Sequence, residues 1–257
     1  MANIQQELKR LAVTGDKTYS ADEIERLKRK VMARNSICSP DCEICAGIGF
    51  VKGEDGKVRP CPNVDPYTLY PGERYGLYDS ERGLSWGDVM PINERDTTAA
   101  VNAVKQAMAR GAGWVYLWGE TGTAKTLLLK IAVALSLKDH KIAAYVRMAG
   151  ILDDLRSAFD KTNPSGEAQR RLDWWSDIPV LAVDEFNRIK ESEYAIERRF
   201  LLMDRRYEDA LRGRSITLMA GNDNPASLES YLYDRIRDGR FAIVHLSGDS
   251  ARPGMEW

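Results

Sequence analysis

The 257-residue sequence has almost no net charge: 37 Lys and Arg face 38 Asp and Glu, a formal balance of -1. A field that would collect polyanions over the whole surface is therefore excluded, and any nucleic-acid partner must be met by local patches. Long hydrophobic runs are missing too. The most apolar stretch, residues 127–137, is interrupted by Lys130 and is too short to cross a bilayer, and residues 1–9 contain no apolar signal core. The expectation is a soluble, cytoplasmic protein. There are only two histidines, His140 and His245, and no internal repeat or low-complexity tract. The four cysteines all fall between positions 38 and 61, too few for a disulfide scaffold but close enough together to point to metal. What is present is 44% apolar residues with six tryptophans. That is enough to bury a core in one large or two modest domains.

Residues 1–36 read as two short helices, the second opened by a capping box, Ser20-Ala21-Asp22-Glu23, ahead of Ile24, Leu27 and Val31. Its polar face carries Arg26, Lys28, Arg29, Lys30 and Arg34, either a solvated helix face or a phosphate or partner contact. Cysteines and glycines dominate residues 35–62, with a hairpin expected to turn at Glu54-Asp55-Gly56. Residues 62–91 are rich in Pro, Tyr and Gly and predict irregular structure packed on its neighbours. From residue 97 the pattern is α/β. Strands are expected at 114–118, 142–147, 179–183, 216–220 and 241–246, with helices at 98–110, 125–137, 150–160, 167–175, 193–211 and 227–237. Strands alternating with helices imply a parallel, doubly wound five-stranded sheet with ligands beyond the strand C-termini. The organisation is residues 1–66 as an N-terminal module, 67–96 as a linker and 97–257 as the α/β domain.

Directly after the first buried strand comes Gly119-Glu120-Thr121-Gly122-Thr123-Ala124-Lys125-Thr126, then Leu127 and an apolar helix. This strand, loop and helix order is what a P-loop needs: backbone N–H groups cradle phosphate, Lys125 reaches the β and γ phosphates of ATP, and the Thr126 hydroxyl holds Mg2+. Ala124 departs from the strict pattern, which has glycine there. Val180-Leu181-Ala182-Val183-Asp184-Glu185 is a second apolar strand ending in two acids. At the C-terminal edge of the sheet Asp184 would join the Mg2+ shell and Glu185 would polarise the attacking water. A third strand closes on Gly221-Asn222, where Asn222 would orient that water or sense the γ-phosphate, although Asn-Asp-Asn-Pro at 222–225 is also a strong turn signal.

On these motifs residues 97–252 resemble the AAA+ ATPases. More narrowly, they resemble bacterial replicative helicase loaders of the DnaC/DnaI type and the related IstB-type transposition ATPases. The minichromosome maintenance helicases likewise place alanine before the P-loop lysine. The resemblance extends over the helix ending Arg205-Arg206-Tyr207 and the segment Tyr233-Asp234-Arg235-Ile236-Arg237-Asp238-Gly239-Arg240. It implies an arginine finger at Arg235, with Arg237 as the alternative two residues on, and a sensor arginine at Arg252 within Ser250-Ala251-Arg252. Such a finger acts on a neighbour's nucleotide, which implies self-association through the ATP site. Only residues 247–257 follow the last strand, leaving no room for the helical lid many AAA+ proteins carry.

Cys38, Cys42, Cys45 and Cys61 form a Cys-x3-Cys-x2-Cys-x15-Cys pattern with no histidine nearby. Four thiolates around a short hairpin suit a closed structural Zn2+ site, and Cys42-Glu43-Ile44-Cys45-Ala46-Gly47-Ile48-Gly49 has the form of a zinc knuckle. An iron–sulfur cluster is the metal alternative, and four buried or redox cysteines the metal-free one. Loaders of the DnaI kind resemble this chain in carrying an N-terminal zinc module that contacts the helicase. Arg147, Arg156, Arg170 and Arg171 flank the 161–166 loop and form a candidate single-stranded DNA track, with Trp174 and Trp175 either stacking platforms or core. The resemblance thus implies a Mg2+-dependent, DNA-stimulated ATPase that delivers a hexameric DnaB-type replicative helicase to single-stranded DNA. The alternatives are a transposition-regulating ATPase or an ATP-binding DNA adaptor with little hydrolysis.

Overall fold

The structure is a computed structural model and describes residues 38–39, 41–54, 56, 58–65, 75–89, 97–158, 166–190 and 192–248. The expected helices over 1–36, the basic residues on them, most of the 161–166 loop and Arg252 lie outside the described residues. The chain divides into two compact units, Met1–Leu69 and Tyr70–Trp257.

In the first unit β1 (Phe50–Lys52) pairs antiparallel with β2 (Val58–Pro60), a three-residue hairpin flanking the expected turn. Its described core is small: Cys38, Cys42, Cys45, Cys61 and Val64, with Val51 against them.

The second unit is built on five parallel strands: β3 (Gly113–Gly119), β4 (Ala143–Arg147), β5 (Val180–Asp184), β6 (Ile216–Gly221) and β7 (Ala242–Leu246). They lie in the order β4-β5-β6-β3-β7. The unbroken apolar runs of β3 and β5 are explained by burial on both faces: Val115, Tyr116, Leu117, Leu181, Ala182 and Val183 are fully enclosed. Helices α1 (Thr98–Arg110) and α2 (Lys125–Lys138) pack together on the sheet. On the other side α5 (Glu193–Leu211) lies against β3 and β6, with α3 (Met148–Ser157), α4 (Glu167–Asp177) and α6 (Ser230–Ile236) around it. The Ser192 side chain accepts from the Ala195 amide and caps α5, as the sequence order Ser-Glu suggests.

Two helix boundaries differ from expectation. The helix expected over 227–237 begins later, because the Asn224 side chain accepts from Ala226 N and closes a separate 3-10 turn, Pro225–Ser227. The helix expected from 150 starts at Met148, directly where β4 ends.

Among the described residues the best-buried charge is Arg206 on α5, fully enclosed. Its guanidinium donates to the carbonyls of Trp175, Ser176, Ile178 and Ile216 and to Thr217 Oγ1. Trp175 and Ser176 lie in the last turn of α4, whose carbonyls have no intrahelical partner, so Arg206 serves as a long-range cap joining α4 to the starts of β5 and β6. Burial pulls its pKa down to about 9.

Candidate functional site

Three strand ends meet at one edge of the sheet. β3 stops at Gly119, whose close approach to β7 admits no side chain: a Cβ there would lie 2.0 Å from the Leu246 carbonyl oxygen. The loop then turns into α2, with Ala124 in the left-handed region at φ 66. Alanine therefore takes the conformation that glycine normally supplies, at a strain of about 1 kcal/mol, and the loop still forms. Lys125 opens α2 and is buried. Its Nζ donates to the Gly119 carbonyl (2.7 Å), the Glu120 carbonyl (2.6 Å) and Thr123 Oγ1 (3.1 Å). Burial lowers the Lys125 pKa, and the nearby Asp184 carboxylate opposes that shift.

At the end of β5 the Asp184 carboxylate is anchored on both oxygens. Oδ1 accepts from the Glu185 amide (2.9 Å); Oδ2 accepts from Thr126 Oγ1 (2.6 Å) and from the Tyr145 hydroxyl (2.8 Å). Two hard oxygen ligands, a hydroxyl and a carboxylate, thus touch, a donor set that fits Mg2+. Glu185 sits in a left-handed turn at φ 49 and is flanked by Arg147 Nε at 3.8 Å and Arg188 at 3.7 Å. A cavity of about 730 Å³ is lined by the 121–127 loop, Asp184, Glu185, Arg188 and Asn222. A smaller one of about 250 Å³ continues from Asn222 to Asn187 and Asp223. Ten of the expected residues therefore line one cleft: Thr121 to Leu127, Asp184, Glu185 and Asn222. Gly119 and Glu120 serve it by holding Lys125 through their carbonyls.

Arg235 is not among the residues that line this cleft. It pairs with Asp204 on α5 and is enclosed by the rings of Phe200, Tyr207 and Tyr231 at 5.2–5.8 Å. Arg237, two residues on, is exposed and lies over the Tyr233 ring. Arg252 and its Ser250-Ala251 neighbours lie outside the described residues. The four arginines of the candidate DNA track are not a row of free cations: Arg147 faces Glu185, Arg156 meets Asp153, Arg170 meets Glu167, and Arg171 meets Asp154 and Glu167. A phosphate would have to compete with these carboxylates. Trp175 is core, its indole N–H donating to Asp154, while Trp174 packs edge-to-face on it and stays 39% exposed. Sequence reasoning missed Tyr145, Arg188 and Asn187, because a tyrosine inside a strand and polar residues past a strand end carry no local signal of a shared cleft.

In the first unit the four sulfurs of Cys38, Cys42, Cys45 and Cys61 lie within 4.8 Å of one another, all in buried residues and none in a disulfide. Ala46, Gly47 and Gly49 adopt positive φ, turning the Gly49 amide onto Cys45 Sγ at 3.3 Å, and the Asn63 amide approaches Cys42 Sγ at 3.5 Å. Backbone N–H groups of Cys45 and Ile44 pull the Cys42 thiol down to about 6, while burial pushes Cys38 and Cys61 up. A closed set of four soft donors with N–H groups aimed at sulfur fits a tetrahedral metal.

No family model and no curated protein matches the chain. Solved structures do. The DnaC helicase loader superposes with a TM-score of 0.52 at 15% identity, covering 66% of this chain and 100% of that one. DnaI gives 0.53 at 16%, over 69% and 95%. The second unit has the AAA+ fold. The replication initiator DnaA bound to AMPPCP and single-stranded DNA gives 0.54 at 19% identity over 68% of this chain. The chain spans about half the length of the initiation factor and the two DnaA structures that it matches, 50%, 47% and 52%. The cleft lies at the strand C-termini, where open α/β sheets bind ligands, and no helix among the described residues is long and apolar enough to cross a membrane.

Proposed function

We propose that this chain is an ATP-dependent loader of the DnaC/DnaI type, which binds a ring-shaped, DnaB-type replicative helicase and delivers it to single-stranded DNA. The observation that carries the reading is the convergence of Lys125, Thr126, Asp184, Glu185 and Asn222 on one cleft, in a chain that also carries a separate four-thiol unit. Superposition over the whole length of the DnaC loader and nearly all of DnaI supports it.

In this reading Lys125 leaves the loop carbonyls for the β and γ phosphates, which are also met by the N-terminus of α2. Thr126 and Asp184 hold Mg2+, which when bound neutralises charge on the phosphates. Glu185, freed from Arg147 and Arg188, accepts a proton from the attacking water, and Asn222 holds that water or the γ-phosphate. Because Arg235 is enclosed, Arg237 is the residue assigned to reach a neighbouring copy's nucleotide. Cys38, Cys42, Cys45 and Cys61 hold structural Zn2+ and so fix the face bearing Ile44, Ile48, Phe50 and Val58. Those side chains are 37–68% exposed, apolar groups available to the helicase. Trp174 is the base-stacking candidate for single-stranded DNA.

The test uses the replicative helicase of the same source. The full chain should retain it, Ile48→Asp should weaken retention, and ATP with Mg2+ should allow transfer to a single-stranded circle. Failure to retain helicase, or retention of a transposase instead, would move the chain to the transposition ATPases. ATP binding with no turnover on DNA would leave an adaptor.

A further inference from the structure

We propose that Tyr145 is a positioning residue for the magnesium carboxylate Asp184, held in place by Lys130. This rests on the nucleotide reading of the cleft and adds to it a residue that no P-loop, acid-pair or sensor motif contains.

The backbone register alone would not bring Tyr145 and Asp184 together, since Tyr145 lies beside Ala182 and it is Arg147 that lies beside Asp184. The tyrosine side chain instead runs along the sheet towards the strand end, and its hydroxyl donates to Asp184 Oδ2 at 2.8 Å. Asp184 has three anchors in all, and each has a different fate when a cation arrives. The Glu185 amide is fixed by the backbone and holds only Oδ1. The Thr126 hydroxyl must turn a lone pair to the cation, so its orientation becomes part of the metal site. Tyr145 is the remaining side-chain donor, and it sets how the Oδ2 edge of the carboxylate is turned.

The tyrosine ring is itself clamped. Lys130 Nζ lies 5.0 Å from its centroid and 5.5 Å from that of Tyr78, and pairs with Glu81 at 2.5 Å, both side chains being at most 20% exposed. Residues 75–89 press on the same strand: a Cβ on Gly76 would lie 1.8 Å from the Tyr145 carbonyl oxygen. A hydrogen-bond donor to a metal-binding carboxylate that is locked by packing on its far side is the arrangement by which an outer shell sets ligand orientation and metal affinity.

Tyr145→Phe keeps the ring and removes only the hydroxyl. Binding of a fluorescent ATP analogue to the full-length chain is measured in EDTA and then across a Mg2+ titration. The expected result is unchanged affinity in EDTA and about a ten-fold rise in the Mg2+ concentration at half effect, the scale of an outer-shell loss. Lys130→Met, which leaves the hydroxyl but frees the ring, should shift the Mg2+ titration in the same direction by less. A Tyr145→Phe titration that overlays the wild type overturns the proposal, and so does an equal loss in EDTA and in Mg2+, which marks general damage to the cleft. If the wild type itself binds no nucleotide, the reading of the cleft fails first and the proposal with it.

Discussion

Removing metal from the four-cysteine unit should unfold that unit and leave the AAA+ unit standing. The described core of the first unit holds one fully buried aliphatic side chain, Val64, beside the cysteines. Burying it contributes about 2 kcal/mol. The hairpin has three residue pairs, and an isolated two-stranded hairpin is marginal in water. Zinc held by four thiolates contributes about 10–16 kcal/mol at neutral pH, several times what the apolar core supplies. The perturbation is chelation of anaerobically purified protein, with Cys61→Ser as the covalent counterpart, since Cys61 is fully buried and cannot be replaced by a water-bound ligand without opening the unit. Metal content by emission spectrometry should be one zinc per chain. Hydrogen exchange should show residues 41–65 losing protection on chelation while β3, β5 and β6 keep theirs, and nucleotide binding should persist. Protection over 41–65 that survives in demonstrably metal-free protein would refute the reasoning. Iron with acid-labile sulfide in place of zinc would correct the identity of the metal but keep the dependence.

Glu185→Gln should lower ATP turnover by about 10²–10⁴-fold while nucleotide binding is kept, checked by steady-state turnover beside equilibrium binding; unchanged turnover would remove Glu185 from the chemistry. Arg237→Ala should cut turnover by about 10³-fold with a normal urea midpoint, whereas Arg235→Ala, which empties a cage of three rings and an ion pair, should cost about 2 kcal/mol of stability. The opposite pattern would return the finger to Arg235. Asp238 is held well below the usual carboxylate range by Arg240, with the Tyr207 hydroxyl also donating to it. A depressed carboxylate stabilises the fold above its unfolded pKa of about 4 and loses that stabilisation as pH falls below it. Urea unfolding at neutral pH and near pH 3 should therefore fall less steeply for Asp238→Asn than for wild type.

Much of the site was legible because its chemistry is local in sequence. A phosphate loop must be a short glycine-rich link between a buried strand and a helix, so residues 119–127 announce themselves by context. Asp184 and Glu185 are marked by the apolar strand they end. Ala124 is different: whether a non-glycine residue enters the left-handed region, as it does here at φ 66, depends on what the rest of the loop imposes. Arg235 and Arg237 are indistinguishable as letters. They separate only when α6 packs on α5, which surrounds one with rings and an aspartate and leaves the other in solvent. The basic track changed for the same reason: the sequence counts its arginines, but the carboxylates that face them come from positions three, four, seventeen and thirty-eight residues away.

The sequence by itself determined the order of strands and helices along the chain, the glycine-containing loop at 119–127, the acid pair and the clustering of four thiols, because each follows from periodicity, turn chemistry or spacing within a few residues. The tertiary structure alone decided that Tyr145 reaches Asp184, that Lys130 and Glu81 close behind it, and that Arg206 ties α4 to the strands. Those contacts join residues between 10 and 49 positions apart, and a side chain's partner at that range is set by which elements pack together.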